Sequence, residues 1–421
     1  MNLIVAELAV RTFFALRTGP RVLLYGTPWH HLTAPAPPAP ADDPFNRSVQ
    51  AHRNDVGGYT SYTPGTSSYS KYFPHEEKWT ESPDRATQYP VRINNYGFRG
   101  RDFTIEKPPG TIRILTLGAS STFGYHDRDD ETYPVYLEQD LQRAVGDAPR
   151  FEVINFAIPH ATTDNILAMF QAEGLALSPD VVTFYEGTND AAIIESREGQ
   201  REQDWRERLV ATSMLAAVVD RFLPRSAATD VAWWWSDELA QRRSHAFLGN
   251  LDRLTALCRA RGIHLIVATQ QFRSTLIPSE RSHGLTYDEE VALLREMVAR
   301  GDIGPGKTQV GDKVLEFRIK GADPMPVRLL AGLDPPRAML IHVVLMNDLR
   351  AWAPHAGVGF VDVIHELDGN RDLLINWVHL RPEANAIIAR ALARSILTEL
   401  DLPRANALDV ERVGHAPSPT P

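Results

Sequence analysis

The sequence predicts an α/β fold: a central parallel sheet of about five strands, helices on both of its faces, and helical insertions. Three observations predict it. First, five short apolar runs have strand length: Ile112–Leu117, Glu152–Phe156, Val181–Tyr185, His264–Thr269 and Val358–Val363. Second, segments with helical spacing alternate with them, at about Thr132–Val145, Thr163–Leu177, His245–Ala260, Arg337–Ala353 and Pro382–Leu400. Third, the first run ends at Gly118 and the third at Gly187, the sharp exits that strand-to-helix turns need. A strand that returns through a helix to a parallel neighbour crosses right-handedly, which leaves helices on both faces.

Taken in order, residues 1–33 read as an N-terminal amphipathic helix segment. Glu7 and Arg11 interrupt its apolar run and no basic stretch precedes it, so it makes a poor secretory leader. It is also too short and too charged to span a bilayer. Its apolar residues are expected to dock on the protein itself; lying in a membrane surface is the other reading. Residues 34–44, APAPPAPADDP, favour extended polyproline geometry. With 45–90, rich in Tyr, Ser, Thr, Pro and Gly, they begin a Pro-rich linker and irregular wrapping segment over 34–110. The α/β domain spans 111–402, and residues 403–421 form a loose tail.

Two insertions interrupt the domain, at about 191–244 and 270–336. The first reads as helical and carries Trp233, Trp234 and Trp235. Three consecutive tryptophans cannot share one helix face, so they suit an acyl-binding lid or extra core for the insertion. The second holds a helix over about 288–300 and a possible hairpin over about 313–320.

Composition narrows the function. The chain has 421 residues, 43% hydrophobic and 23% charged, enough for one large core with additions or for two domains. A net charge of -9 with no basic face gives no reason to expect nucleic acid as a partner. The one cysteine, Cys258, sits in an apolar helical pattern and reads as a small buried hydrophobe. No Cys/His spacing resembles a zinc site, and no disulfide framework points to secretion. The chain reads as cytoplasmic, with peripheral membrane contact through the N-terminal helix left open.

In a doubly wound sheet, ligands bind beyond the carboxyl ends of the strands. After the first strand stands GASSTFG (118–124), which puts the Ser120 hydroxyl at that edge, with a following helix to offer N–H groups and a dipole. The same letters open some dinucleotide-binding turns. There a glycine is wanted where Thr122 stands, and no tyrosine here has the lysine four residues on that short-chain dehydrogenases need. After the third strand stands GTND (187–190), whose Asn189 can turn an amide N–H to the same edge or cap a helix. NWVHLRPEAN (376–385) places His379 just before a helix that opens with Pro382 and Glu383.

Together these blocks resemble the SGNH (GDSL-like) hydrolases. GASSTFG is similar to their GDSxTxG block, GTND to GxND, and NWVHL to DxxHL; VRINNYGFRG (91–100) resembles the lead-in of many bacterial members. The resemblance covers about residues 111–400 and implies a flavodoxin-like α/β/α fold. It makes Ser120 the nucleophile, Asn189 an oxyanion donor and His379 the general base. Two departures stand out. The glycine whose N–H joins the oxyanion hole is Ala157, in NFAIPHA. The aspartate three residues before the histidine is Asn376, leaving a Ser-His dyad or an atypical triad; the dyad reading has the His379 Nδ1–H bonded to a neutral oxygen, from Asn376 or a backbone carbonyl, and Asp372 is the nearest upstream carboxylate.

The resemblance implies an ester hydrolase (esterase, lipase-like or carbohydrate deacetylase) that works through an acyl-enzyme. The oxyanion would be held by the Ser120 and Ala157 N–H groups and the Asn189 side chain. No metal or organic cofactor is required, and the substrate is a small-molecule, glycan or lipid ester. An acyltransferase using the same site, and a catalytically weak module that binds acylated glycans or lipids, remain alternatives.

Overall fold

The computed structural model describes residues 2–18, 52–54, 59–61, 67–71, 88–192, 215, 219, 236–274, 284–300, 314–317, 325–328 and 336–402. Contacts divide the chain into two compact units. One comprises Met1–Arg47 and Ile193–Trp234, the other Ser48–Ala192 and Trp235–Pro421. Trp233–Trp235 and the tail beyond 402 lie outside the described residues.

In the first unit, Asn2–Thr18 is helical, and Arg11 pairs with Glu7 at 2.7 Å. Ile4, Val5, Leu8, Phe13 and Leu16 are exposed, while Glu7 accepts the Leu215 N–H at 2.8 Å. At 100° per residue they spread around half the helix, so no single narrow face can bury them together. Among the described residues no helix is long and apolar enough to cross a membrane.

The second unit carries the sheet. Before it come two short ladders where irregular chain was expected. β1 (His52–Asn54) pairs antiparallel with β2 (Tyr59–Ser61), and β3 (Ser67–Lys71) with β4 (Gln88–Arg92). Alternating Ser, Tyr and Val suit extended backbone, a signal the prolines and glycines masked in the sequence.

The central sheet consists of β5 (Thr111–Gly118), β6 (Arg150–Ala157), β7 (Val181–Tyr185), β8 (His264–Ala268) and β11 (Gly359–Val361). All pairings are parallel, in the order β11-β8-β7-β5-β6. Each matches an apolar run of the sequence. β11 is shorter than the run because Asp362 leaves the ladder to cap the helix Val363–Leu367. β9 (Val314–Phe317) and β10 (Met325–Arg328) form an antiparallel pair in the second insertion, so its hairpin reaches further than 313–320.

Helices cover the sheet as the flavodoxin-like α/β/α reading requires. On one side Tyr133–Val145 packs on Pro382–Glu399, burying Leu137, Leu141, Ile388, Leu392 and Ile396 over Ile114 and Val181. A second layer packs Thr163–Ala172 and Pro336–Ala356 against Asp237–Ala260. That last helix starts at Asp237, not near His245, because Ser236 caps it and Asp237 and Glu238 fill its first turn. Cys258 is buried within it, and burial pushes its thiol up to about 12.

After β5 the chain goes one way to β6, then returns to the other side of β5 as β7. This reversal opens a crevice at the carboxyl ends of β5 and β7. Gly118 permits the tight exit there. A Cβ on it would sit 2.0 Å from Thr122 Oγ1 and 2.7 Å from the Tyr185 carbonyl oxygen.

Candidate active site

Ser120 begins a one-turn helix, Ser120–Phe123, that leaves β5. So short a helix carries no useful macrodipole; what it can offer is the unpaired N–H groups of its first turn. The next two side chains are committed inward. The buried Ser121 hydroxyl donates to Val378 O at 3.0 Å, and Thr122 donates to Tyr185 O at 3.3 Å while accepting from Tyr133 at 3.1 Å. Ser120 alone of the three is only half-buried.

The exit of β7 is held by buried acids and an amide. Asn189 N–H donates to Glu186 Oε1 at 2.7 Å. The Thr188 N–H and hydroxyl both donate to Gln270 Oε1, at 2.7 and 2.7 Å, and Gln270 Nε2 reaches Ser121 Oγ at 3.5 Å. The Asn189 amide nitrogen donates to Ala161 O at 2.9 Å, which uses one of its two hydrogens. Asp190 accepts the N–H and hydroxyl of Thr163, at 2.9 and 2.5 Å. Burial pushes Glu186 up to about 8 and Asp190 to about 6.

His379 lies on the turn between Leu374 and Leu380, its carbonyl accepting Ile375 N–H at 2.8 Å. The Ser121–Val378 bond ties this turn to the helix that starts at Ser120. Burial first, then the neighbouring His126 and His160, hold the His379 pKa well below the ordinary histidine value. Its Nε2 is buried with no hydrogen-bond partner.

Asn376 is turned the other way from the sequence expectation. Its Oδ1 accepts the N–H groups of Val378 and His379, each at 3.0 Å. That leaves Nδ2 against His379 Nδ1, at 2.8 Å. An amide nitrogen only donates, so the hydrogen-bond pattern assigns Nδ1 as acceptor and puts the imidazole proton on Nε2. Reversing the amide would set an NH2 group against two backbone N–H donors. The expected bond from Nδ1–H to the Asn376 oxygen is absent because the turn has already used that oxygen. The hydrogen bond at the His379 ring runs to Asn376.

Ala157 differs as well. It pairs in register with Gly118, and Ile158 N–H donates to Gly118 O at 3.4 Å. In a parallel ladder the residue in register sends its own N–H away from that partner. β6 is the edge strand, so the Ala157 N–H turns to the open side, and its methyl packs with Val91, Ile93 and Phe123. As placed, it is not a donor into the crevice.

Gln270 and Glu186 were missed in the sequence. Gln270 follows β8, so the strand-end rule applied to the fourth strand would have found it. Glu186 precedes Gly187 and carries no pattern of its own. Among the described residues no group of three His, Cys, Asp or Glu side chains is arranged to hold a metal ion.

A family model described as the GDSL-like Lipase/Acylhydrolase family matches residues 116–387. The chain belongs to that family. It is, accordingly, an ester-bond hydrolase. Among solved structures the chain is similar to a GDSL-like lipase from Bacteroides thetaiotaomicron (13% identity, TM-score 0.35, covering 68% of this chain and 88% of that one). It is similar too to an acetylxylan esterase from Geobacillus stearothermophilus (15%, TM-score 0.35, 68% and 94%). A third is an alpha/beta hydrolase from the metagenome of Lake Arreo, Spain (16%, TM-score 0.36, 68% and 94%). No curated protein matches the sequence. In this acylhydrolase the three family blocks run in order along β5, β7 and the turn before the last helix.

Two predictions follow from these geometries. An aspartate at 376 would accept the two backbone N–H groups with one oxygen and an Nδ1–H with the other. On an activated ester, Asn376→Asp should therefore raise kcat above the parent's, while Asp372→Ala stays within about twofold of it; a collapse in Asp372→Ala would mean that a carboxylate acts from there. The second concerns stability. Glu186 keeps its proton up to about pH 8 when folded, but loses it near 4.5 when unfolded. The folded state thus holds the extra proton across that interval, and stability falls as pH rises. His342 and His379, both lowered, act oppositely but only below about pH 6.5. Melting temperatures of the parent should decline between about pH 6.5 and 8, and Glu186→Gln should flatten that decline.

Proposed function

We propose that the protein hydrolyses esters through an acyl-enzyme on Ser120, with His379 as general base and Asn189 as oxyanion donor. The observation that carries this reading is the Ser121–Val378 bond. It draws the turn that bears His379 against the helix that starts at Ser120, and the buried His379 Nε2 is uncommitted to any hydrogen bond. Ser120 Oγ attacks the ester carbonyl as His379 takes its proton; the alcohol leaves with that proton, and water repeats the cycle. The Ser120 N–H and the second hydrogen of the Asn189 amide support the oxyanion.

Asn376 makes this a slow hydrolase. Nε2 must present its lone pair to Ser120, so the proton has to move to Nδ1, where it meets an amide N–H. No carboxylate stabilises the imidazolium. In a serine protease the equivalent change from aspartate to asparagine costs about 10^4 in kcat. The substrate is an ester of a small molecule, a glycan or a lipid alcohol. The setting is cytoplasmic, which the lone buried cysteine supports, and the exposed apolar residues of Asn2–Thr18 suit peripheral contact with a membrane.

Two measurements test the reading. A fluorophosphonate followed by peptide mapping should label Ser120, and Ser120→Ala should lower ester turnover by about 10^4 or to background; labelling of Ser121 instead would overturn the assignment. Asn189→Ala should lower kcat by about 10^2 to 10^3 with KM nearly unchanged, since its bond strengthens only in the transition state. A variant that loses only substrate affinity would make Asn189 a ground-state contact.

A further inference from the structure

His126 lies on the turn that leaves the Ser120–Phe123 helix. Its backbone is left-handed, with φ 81. That geometry strains a side chain other than glycine, which is why glycine or asparagine usually stands there. Strain of this kind persists where the surroundings impose it, and it clusters at functional sites.

The surroundings here impose it from both sides. Tyr125 N–H donates to Ser120 O at 2.9 Å, and Asp127 N–H donates to Gly124 O at 3.0 Å. The buried Arg99 guanidinium reaches the carbonyls of Phe123, Gly124 and Asp127, at 3.1, 2.5 and 2.6 Å. Asn385, on the helix Pro382–Glu399, donates to Asp127 Oδ2 at 2.8 Å. The backbone on either side of His126 is thus pinned to the Arg99 lead-in, to the Ser120 helix and to the helix that follows His379.

The pinned side chain is 4% exposed and packs on His379. The two imidazoles meet at 85° with ring centroids 5.1 Å apart. Tyr125 closes a triangle, 4.5 Å from His126 and 5.3 Å from His379. A catalytic imidazole needs its ring plane fixed so that Nε2 stays on the nucleophile, and a carboxylate at Nδ1 ordinarily helps to do this. Here Asn376 supplies one neutral N–H at Nδ1 and no charge.

We propose that His126 is a positioning residue for the ester hydrolysis. With Tyr125 it walls the His379 ring and holds Nε2 toward Ser120, taking over by packing the orienting role that an aspartate at 376 would have had. A filler of the core would need no strained backbone. Glycine or asparagine would relieve the strain at 126 but would leave the ring of His379 without its wall. The proposal rests on the reading of Ser120 and His379 as nucleophile and base.

The experiment uses the full chain and four proteins: the parent, Ser120→Ala, His126→Gly and His126→Asn. Each is assayed on one p-nitrophenyl ester for kcat and KM, and melted by calorimetry. Both His126 variants tolerate φ 81, so relief of the strained backbone offsets part of the packing lost with the buried ring, and both should keep a cooperative melting transition. Their kcat should fall about 10- to 100-fold with KM within about twofold, the split expected when a base is misplaced by a fraction of an ångström. A stable variant that keeps kcat within about twofold of the parent overturns the proposal. Loss of the melting transition in both variants also overturns it, making His126 a structural residue. If Ser120→Ala retains the parent rate, the underlying reading itself fails; if Ser120→Ala is inactive while His126→Gly is fully active, only the role of His126 fails.

Discussion

The crevice depends on one buried amide. Gln270, at the end of β8, accepts both hydrogens of Thr188 after β7 and reaches Ser121 after β5, and Ser121 in turn holds Val378 beside His379. Three strand exits and the histidine turn are thereby joined through neutral polar groups. A neutral network suits this place. It satisfies buried donors without the desolvation cost that a buried charge would add, and it leaves the electrostatics of the site to the groups nearest the chemistry.

Burial shifts those groups towards their uncharged forms. Burial raises Glu186 and Asp190 and lowers His379 and His342. His342 is kept neutral while its Nδ1 bonds to the Tyr287 hydroxyl at 2.7 Å, and Phe272 stacks on it and meets Trp377 edge-on. One buried pair of charges stands nearby: Arg371 and Glu290, both fully buried, bind each other, and Arg371 also donates to Phe272 O and Thr286 O. Removing one partner of such a pair typically costs 3–5 kcal/mol. The second insertion, which supplies Glu290, is therefore part of the framework that carries the histidine turn.

His379 sits between two departures from what serine chemistry ordinarily uses. On one side an asparagine replaces the charge that would stabilise an imidazolium; on the other a strained histidine presses against its ring. Both follow from backbone constraints more than from side-chain preference. The turn around residue 376 claims the amide oxygen for two N–H groups, and Arg99 clamps the carbonyls around residue 126. On the proposed assignment of His379 as base, the site trades basicity of the histidine for rigidity of its position.

The sheet and the three blocks were legible in the sequence because each depends on local pattern. Apolar runs of strand length set β5, β6, β7, β8 and β11, and the residues just beyond them named Ser120 and Asn189; His379 announced itself just before a proline-led helix. Short polar ladders such as β3–β4 were hidden, since nothing apolar repeats in them. What the sequence could name but not orient, tertiary structure decided. Ala157 was found at its place, yet strand order made β6 an edge and turned its N–H outward. Asn376 was found too, yet a two-donor turn chose which end of its amide faces His379. His126, Gln270 and Arg99 act through partners far along the chain, from 24 to 253 residues away, where no local period can reach. By itself the sequence determined the fold and the candidate nucleophile and base; the direction of each donor at the site was left to the geometry of packed backbone, because a hydrogen bond's direction is a property of two segments and neither one's pattern contains it.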